Sequence, residues 1–435
     1  MNTSQRVILI LLVISFIVGV STGNRLYYRL TYLWTILFVG SWIWSFLSVR
    51  GIRIARSARA LRAQVGQIFE ERFDVFNLTR LPRLWLEIRD ESNLPGSEGS
   101  RILTMISAKQ GRSYLARTRL MNRGVFSLGP TILSSGDIFG IFPASLKIPA
   151  KEILLVYPMM VEVSNFPNPP GLLPGGEALR RRTHQVTPNA SGVREYFHGD
   201  PLSRIHWLST ARRNRLIVKE FELDPLADVW VFLDAMQSVQ LSLPALEQAQ
   251  SIQDLWRRDV KITLPPSTEE YSVSIAASLV RDYLRRGRSV GLAAAGSYLA
   301  LIPPDRGSRQ LGKILEALAI VRADGEVPLR GLVETQVKHM VKGSTVVLIT
   351  PSVEEEIMIV AEFLLRRGLR PIVVLVNAGS FGGRPGSEEL ATEIRSIGIP
   401  VRMVNCGDEL ELALSEDNSS YIHNEVNNRD RAKST

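Results

Sequence analysis

The densest group of charged and aromatic side chains in this sequence is the stretch REYFHGDPLSRIHWLSTARR, residues 194–213. Arginines, acidic residues and aromatic rings in one segment suit ion pairing between domains, nucleic-acid binding, or metal binding by His198 and His206. The two histidines lie eight residues apart with Asp200 between them, and no cysteine or second acidic ligand completes a familiar zinc spacing. We therefore expect them to be hydrogen-bonded polar residues rather than metal ligands.

A second candidate site is a rim of polar residues at the ends of predicted strands. Each of these residues follows an apolar run such as VWVFL, STVVLI or PIVVLV: Asp234, Thr350, Ser352 and Asn377. Ligands on parallel sheets bind at the carboxyl ends of the strands. We therefore predict a binding rim around Asp234.

Other familiar motifs are missing from the sequence. The chain has no Walker phosphate loop and no recognisable Ser-His-Asp or Cys-His nucleophile arrangement. The segment NAGSFGGRPGSEEL follows a predicted strand and opens a predicted helix, which is where a phosphate loop would lie. It lacks the order G-x-G-x-x-G, so we interpret it as an exposed Gly/Pro turn.

The elements that must position the rim belong to an α/β domain, predicted at residues 227–412. Continuous apolar strands such as VWVFL and STVVLIT alternate there with amphipathic helices such as TEEYSVSIAASLVRDYLRRG. This alternation predicts a mostly parallel, doubly wound sheet with helices on both faces.

Before this domain the hydrophobic periodicity changes to two. Short runs such as RLWLEIRDE and RILTMISAK, separated by turn signals, predict an antiparallel β-sandwich at residues 73–165. Residues 166–226 then link the sandwich to the α/β domain. Residues 413–435 are polar, and we expect them to form a disordered tail.

The N-terminal part of the chain contains two uncharged apolar segments, residues 7–23 and 31–49. Each is long enough to cross about 30 Å of hydrocarbon, which predicts a transmembrane hairpin at residues 1–49. Five arginines follow the second segment and two lie in the loop between the segments, so the positive-inside rule places the rest of the chain in the cytoplasm. A signal peptide is the alternative for the first segment.

The arginines after the second segment recur every three residues: Arg50, Arg53, Arg56, Arg59 and Arg62. This spacing predicts a basic juxtamembrane helix at residues 50–72 whose cations contact lipid headgroups, each contributing about 1 kcal/mol near an anionic leaflet. Contact with nucleic acid is the alternative. The net charge of +9 fits a solvated basic surface or an anionic partner, and the single cysteine, Cys406, excludes an intramolecular disulfide.

The stretch from Arg194, together with the strand VWVFLDA that follows it, resembles the bacterial family called domain of unknown function 58 (DUF58). The residues that match the signature of the family are Arg194, Tyr196, Gly199, Asp200, Arg204, Trp207, Ala211, Arg212, Leu216, Val218, Lys219 and Phe221. The segments NRGVFSLGP and SSGDIFGIF resemble the strand-rich part that precedes this signature. The resemblance covers about residues 75–405, and two N-terminal spans are typical of the family.

The resemblance implies a von Willebrand factor A-like (vWA-like) sheet in the α/β domain, and with it a metal-dependent adhesion site. Such a site holds Mg²⁺ through oxygen ligands and leaves one position for a carboxylate of a partner, which serves binding rather than catalysis. This sequence reads Asp234-Ala235-Met236-Gln237-Ser238, and hard Mg²⁺ does not favour the thioether of Met236. We expect a degenerate site with Asp234 and Ser238 as the remaining ligands, and no required cofactor.

For the signature stretch we expect the role of a structural brace between the two domains. Arginines would pair with nearby carboxylates, and Trp207 would be buried between the domains. The residues assigned to the brace are Arg194, Tyr196, Gly199, Asp200, Arg204, Trp207, Ala211, Arg212 and Lys219. If Trp207→Ala leaves stability unchanged but abolishes partner binding, the stretch is a contact surface instead.

The expected function is a non-enzymatic scaffold, a multi-pass protein of the bacterial inner membrane with most of the chain in the cytoplasm. It would bind a protein through the rim of Asp234, Ser238, Thr350 and Ser352. Because members of the family are often encoded beside MoxR-type AAA ATPases, the resemblance implies such a partner, in complex assembly or envelope maintenance. The alternatives are a metal-dependent hydrolase or nuclease centred on Asp234, which needs a second carboxylate there, and a nucleic-acid-binding membrane protein. We expect no nucleic-acid partner.

Overall fold

The computed structural model describes residues 3–150, 152–167, 190–197, 205–221, 228–244 and 263–415. Three residues of the predicted signature, Gly199, Asp200 and Arg204, lie outside the described residues. The same holds for His198 and for the part of the predicted tail after residue 415.

The chain begins with two apolar helices, α1 (Thr3–Thr22) and α2 (Arg25–Ser48). The Asn24 side chain accepts a hydrogen bond from the backbone N–H of Leu26 (3.0 Å) and so caps α2 where the chain reverses. The two helices pack on each other, with Gly19 close to Tyr27. By length and composition both helices are suited to crossing a bilayer.

Residues 50–72 do not form the predicted basic helix. They contain β1 (Ile52–Ala58), β2 (Arg62–Gln64) and the start of β3 (Ile68–Asn77). In β1 the side chains alternate between half-buried and exposed positions, with Ile52, Ile54 and Arg56 on the covered side. The apolar residues recur every second position, as in a strand, and this pattern agrees with the observed structure. The spacing of three between the arginines does not reflect a helix.

Arg56 is the clearest exception to the predicted contact with lipid headgroups, because its side chain is 11% exposed and points inward. Its guanidinium donates to both carboxylate oxygens of Glu71 (2.7 and 2.9 Å) and to Asp90 (2.8 Å). Both acidic side chains are 1% exposed, and burial raises the pKa of Glu71 although the hydrogen bonds from Arg56 oppose this. Arg56 is thus a core residue of the β-rich part of the chain.

Residues 52–157, named here the β module, form three small sheets. The remaining strands are β4 (Arg83–Asp90), β5 (Arg101–Ile106), β6 (Gly111–Arg119), β7 (Gly124–Leu128), β8 (Thr131–Gly136), β9 (Pro143–Ile148) and β10 (Glu152–Tyr157). The sheets have the orders β1-β3-β6, β5-β4-β8-β9 and β2-β10-β7. Phe73, Leu86 and Leu133, all fully buried, belong to a core shared by the first two sheets. A second core surrounds the third sheet and includes Val65, Phe69 and Leu154.

The signature segment, residues 190–197 and 205–221, is a hairpin with a short helix in its connection. Strand β11 (Ala190–Glu195) pairs antiparallel with β12 (Ile217–Phe221), and α3 (Trp207–Arg213) precedes β12. Asn214 ends the helix in the left-handed conformation, with φ of 51°.

The α/β domain, residues 229–415, contains one six-stranded sheet in the order β15-β14-β13-β16-β17-β18. Its strands are β13 (Val229–Leu233), β14 (Val290–Ala295), β15 (Leu299–Asp305), β16 (Thr345–Thr350), β17 (Arg370–Val376) and β18 (Val401–Val404). Its helices are α4 (Thr268–Arg285), α5 (Ser308–Ile320), α6 (Leu329–Val337), α7 (Glu356–Arg366), α8 (Ser387–Ser396) and α9 (Leu410–Ser415). Strand β15 is antiparallel to β14, and the other neighbouring strands are parallel.

Both faces of this sheet are covered, which explains why its strands are apolar along their whole length. Val231 of β13 belongs to the core with α4, α5 and α9, whereas Phe232 belongs to the core with α6, α7 and α8. The predicted alternation of strands and helices is therefore present. Cys406, predicted to lie in the last strand, is half-buried and follows β18.

The β module and the α/β domain are joined by a buried arginine that the sequence did not single out. Arg123, in the turn between β6 and β7, is 0% exposed. Its guanidinium lies 2.5 Å from carboxylate oxygens of both Glu269 and Glu270 in the first turn of α4. It also donates to the backbone carbonyls of Leu318 (3.1 Å) and Val321 (2.9 Å) at the end of α5. We name this cluster the Arg123 joint.

Candidate functional site

The predicted rim around Asp234 is assembled by two neighbouring strands. Strands β13 and β16 are parallel, so Asp234, just after β13, lies next to Thr350, the last residue of β16. The Thr350 hydroxyl donates to Asp234 Oδ2 (2.6 Å), and the backbone N–H of Met236 donates to Asp234 Oδ1 (3.2 Å). Both carboxylate oxygens are thus engaged by the chain itself.

From Thr350 the hydrogen bonds continue along the loop after β16. The backbone N–H of Ser352 donates to Thr350 Oγ1 (2.9 Å), and the N–H of Glu354 donates to Ser352 Oγ (3.2 Å). On the other side, Gln240 Nε2 donates to the carbonyl oxygen of Asp234 (2.9 Å). Asp234 therefore fixes the loop that follows its own strand and the loop that follows β16.

A glycine holds the Asp234 loop against a third segment. The N–H of Gly325 donates to the carbonyl of Ala235 (3.0 Å), and Gly325 accepts from the N–H of Gln237 (2.8 Å). A Cβ atom at position 325 would clash with the carbonyl oxygen of Ala295, so the close approach requires glycine. The short 3-10 turn at Gln237–Val239 is therefore held in place.

Three of the four predicted rim residues are buried, and this changes their role. Asp234 is 4% exposed, Thr350 is 0% and Ser352 is 7%, whereas Ser238 is exposed. Burial raises the pKa of Asp234, although the hydrogen bonds from Thr350 and Met236 oppose the increase. The buried residues position the loops, and the surface of the rim consists of exposed side chains: Gln237, Ser238, Glu354 and Glu355.

The donor set at Asp234 does not fit Mg²⁺. The carboxylate already accepts two hydrogen bonds, and the Thr350 hydroxyl is used as both donor and acceptor. Met236 brings a thioether where an oxygen ligand would be needed. Across the described ranges no group of three or more His, Cys, Asp or Glu side chains is placed to hold a metal ion. The nearby hydroxyl oxygens of Thr350 and Ser352 are already used in hydrogen bonds, so they do not complete a ligand set for Asp234 and Ser238.

The signature segment is built around the short helix α3. His206 caps this helix, with Nδ1 accepting from the N–H of Ser209 (3.3 Å) and lying 2.7 Å from its hydroxyl. The hydroxyl of Thr210 accepts from the N–H of Ile217 (3.0 Å), which ties the helix to β12. His206 is therefore a capping residue, which agrees with the predicted polar role.

The two sides of this segment differ in burial. Ile205, Ile217 and Val218 are 5%, 2% and 2% exposed and form its covered side. Several large apolar side chains are instead open to solvent: Phe197 (70% exposed), Trp207 (67%), Leu208 (61%) and Leu216 (44%). We name these four residues the signature surface. Arg212 and Arg213, in the last turn of α3, are also exposed.

The prediction that Trp207 braces two domains is therefore wrong. Helix α3 buries none of its residues, Ala211 and Arg212 included, and it contacts β12 of its own hairpin. Tyr196 is half-buried, and the Arg194 and Lys219 side chains lie outside the description. Glu195 pairs with Arg215 (2.9 Å) on the surface. The described contacts between the domains include the Arg123 joint, whose partners lie far away in sequence, and the surface ion pair of Arg62 with Glu316.

The signature segment and the Asp234 side of the rim fall in one matched segment of sequence. Residues 192–252 match the family described as protein of unknown function DUF58. This chain is similar to the DUF58 family over that segment, which is about a seventh of its length. The match includes most of the signature segment and continues through β13 to Asp234 and Ser238.

A bacterial protein is similar to this chain over a longer stretch. Over 244 residues, the chain is 23% identical to the uncharacterized protein YeaD of Bacillus subtilis (strain 168). The match covers 55% of this chain and 54% of YeaD, so it spans about half of each protein. The similarity supports the family assignment and carries no activity with it.

Similar solved structures add no information about the fold. The CARDB domain of a Pyrococcus furiosus protein, in complex with di-metal ions, is 10% identical and matches 24% of this chain and 91% of that domain, with a TM-score of 0.17. Alkylpurine DNA glycosylase AlkC of Pseudomonas fluorescens is 8% identical over 32% of this chain and 42% of the glycosylase, also with a TM-score of 0.17. At such scores neither likeness carries an argument.

Proposed function

We propose that this DUF58 chain is a membrane-anchored scaffold that binds a protein partner on the cytoplasmic side and catalyses no reaction. Its α1 and α2 helices support the anchor because their apolar side chains face outward, for example Ile17 (58% exposed) and Ile36 (71%). Such surfaces are stable in hydrocarbon and costly in water. The protein would then be a multi-pass protein of the bacterial inner membrane.

The orientation follows from the distribution of arginines. Arg53 and Arg59 are exposed shortly after α2, and Arg62 pairs on the surface with Glu316 (2.7 Å). Arg50 lies over the Phe46 ring at 3.7 Å, at the end of α2. Basic residues beside a span favour the cytoplasmic side. Arg53 and Arg59 therefore remain available for anionic headgroups.

One observation carries the binding role: the signature surface exposes Trp207 and Phe197, each about two-thirds uncovered, within the segment that defines the family. Aromatic residues of this kind are common anchors of protein–protein interfaces. The adjacent exposed Arg212 and Arg213 favour a partner with acidic groups around an apolar pocket. The signature surface is thus a contact surface, as the alternative interpretation of this stretch holds.

The rim supports a second contact. We propose that the α/β domain is vWA-like and that its adhesion site is degenerate, so that the exposed Gln237, Ser238, Glu354 and Glu355 bind without a metal ion. The parallel sheet with an antiparallel edge strand is compatible with this proposal. The hydrolase or nuclease alternative lacks support from Asp234, whose two carboxylate oxygens are occupied by Thr350 and Met236.

The proposed partner is a MoxR-type AAA ATPase, in complex assembly or envelope maintenance. The test is photo-crosslinking in native membranes from a full-length chain with a photoreactive residue at position 207. A chain with the same residue in place of Ile359, which is 50% exposed on α7, is the matched control. The proposal expects an adduct with the ATPase from position 207 and none from position 359. Equal adducts from both positions, or none from either, would contradict it.

The anchor is tested separately. A periplasmic reporter enzyme fused after residue 60 is expected to stay inactive, because that position lies on the cytoplasmic side. Strong reporter activity would reverse the orientation.

A further inference from the structure

The loop between β8 and β9, residues 137–142 with the sequence DIFGIF, exposes two large apolar side chains at its tip. Ile138 is 66% exposed and Phe139 is 64% exposed. We name residues 137–142 the β8–β9 loop. An adjacent pair of such residues on a soluble surface is costly in water and commonly marks a contact site.

The exposure of this pair is a fixed feature of the loop. Asp137 is 3% exposed, and its carboxylate accepts hydrogen bonds from the backbone N–H groups of Phe139 (3.0 Å) and Phe142 (2.6 Å). Gly140 closes the turn with φ of +66°, and its N–H donates to the carbonyl of Asp137 (3.3 Å). The chain thus uses a buried carboxylate to hold Ile138 and Phe139 outward.

The β8–β9 loop lies directly against the two apolar helices. Phe142 packs edge-on against Phe38 of α2, with ring centroids 5.0 Å apart. Gln5 of α1 donates to the carbonyl of Ile141 (3.1 Å). An open groove of about 380 Å³ lies between the loop and both helices, lined mainly by Val7, Ile8, Trp34, Leu37, Phe139 and Ile141.

The position of these contacts along α2 shows how far the loop reaches from the end of the helix toward its middle. Phe38 lies ten residues before Ser48, the last residue of α2, which is about 15 Å along the helix axis. The end of α2 packs beside β8 and β9, where Ser41 and Ser45 are buried. The β8–β9 loop therefore reaches back beside the apolar part of the hairpin rather than stopping beyond its end.

We propose that the β8–β9 loop is a third membrane-contacting element, which inserts Ile138 and Phe139 among the acyl chains of the leaflet next to the β module. The groove between the loop and the helices then takes a lipid acyl chain. This inference rests on the proposed function, because it needs α1 and α2 to lie in a bilayer. Hydrocarbon is the occupant we expect, because the groove borders the outward apolar side chains of the same two helices. The contact fixes the orientation of the β module relative to the membrane.

The test measures depth with a fluorophore and spin-labelled lipid. Full-length Cys406→Ala protein, which has no cysteine, receives one new cysteine by Phe139→Cys, is labelled with an environment-sensitive dye, and is reconstituted in phosphatidylcholine–phosphatidylglycerol vesicles. Phosphatidylcholine with a doxyl group on its acyl chain is the quencher. Leu299→Cys, at a position that is 60% exposed on β15 of the α/β domain, is the matched control, and Ile17→Cys reports the bilayer.

The proposal expects the dye at position 139 to lose most of its emission, as the dye at position 17 does, while the dye at position 299 keeps its emission. If position 17 is quenched and position 139 behaves like position 299, the inference fails and the anchor stands. If position 17 is not quenched, the anchor fails, and the inference fails with it. Emission at position 139 that depends on protein concentration and not on the quencher would identify a second copy of the chain as the occupant and overturn the proposal.

Discussion

We expect the buried Arg123 side chain to contribute much of the stability of the contact between the β module and the α/β domain. Arg123→Met keeps an aliphatic chain of similar reach and removes the guanidinium. This leaves the Glu270 carboxylate without its cation and the Glu269 carboxylate with only the exposed Arg322, 3.8 Å away. The carbonyls of Leu318 and Val321 lose the donor that Arg123 supplies.

The magnitude follows from burial. Removing one partner of a buried ion pair costs about 3–5 kcal/mol. The carboxylates of Glu269 and Glu270 are 22% and 17% exposed, so water can reach them in part after the change. We therefore expect the lower end, about 3 kcal/mol in the free energy of unfolding. Arg322→Met is the matched control, because Arg322 is 54% exposed and lies 3.8 Å from Glu269. It should cost at most about 1 kcal/mol.

The assay is urea denaturation of the full-length protein in detergent, followed by circular dichroism and, in parallel, by limited proteolysis between the domains. Arg123→Met should lower the denaturation midpoint strongly and expose the chain between the domains to protease before the α/β domain unfolds. If the variants Arg123→Met and Arg322→Met shift the midpoint equally, the buried arginine does not stabilise the contact and the reasoning is refuted.

Three further predictions concern the membrane side, the rim and the β8–β9 loop. Arg53→Gln should leave stability unchanged, whereas Arg56→Gln should destabilise the fold by about 3 kcal/mol, and equal denaturation midpoints for the two variants would contradict the structural role of Arg56. Thr350→Val should cost about 2 kcal/mol at neutral pH and about 1 kcal/mol below the ordinary pKa of an aspartate. Because the pKa of Asp234 is raised in the folded state, the folded state loses stability as pH rises through that pKa. Loss of the Thr350 hydrogen bond raises this pKa further, so the variant loses more stability at neutral pH than at low pH. Equal costs at both pH values would contradict the account. Asp137→Ala should release the β8–β9 loop and increase its cleavage by chymotrypsin in vesicles, and unchanged cleavage would show that Asp137 does not hold the loop.

The strands of the α/β domain could be predicted from sequence because burial on both faces makes them continuously apolar. The helix Thr268–Arg285 also follows from the sequence, although residues 271–280 are all buried and the helix is covered on nearly all sides. The pairing of Asp234 with Thr350 also follows from sequence, since the carboxyl ends of adjacent parallel strands meet. These features depend on local pattern and on general rules of sheet topology.

The rest depended on contacts between residues far apart in the chain. Arg56 looked like one of a basic series because its carboxylate partners lie 15 and 34 residues away. Arg123 looked like a turn residue because Glu269 lies 146 residues away. For Trp207, no local pattern tells which side of a seven-residue helix is covered, and large aromatic residues are usually buried. The sequence contains one signal for a cation partner of this helix, the adjacent Glu269 and Glu270 in its first turn, and that signal does not say which arginine binds them.

The most direct test of the proposed scaffold role is the affinity of the full-length protein, reconstituted in nanodiscs, for a purified MoxR-type AAA ATPase. The account predicts saturable binding that Trp207→Ala weakens by about 2 kcal/mol, or roughly 30-fold, while the denaturation midpoint stays the same. Ile359→Ala, which removes a side chain that is 50% exposed outside the signature surface, should bind like the wild type. Absence of binding, or equal affinities for Trp207→Ala and the wild type, would contradict the account.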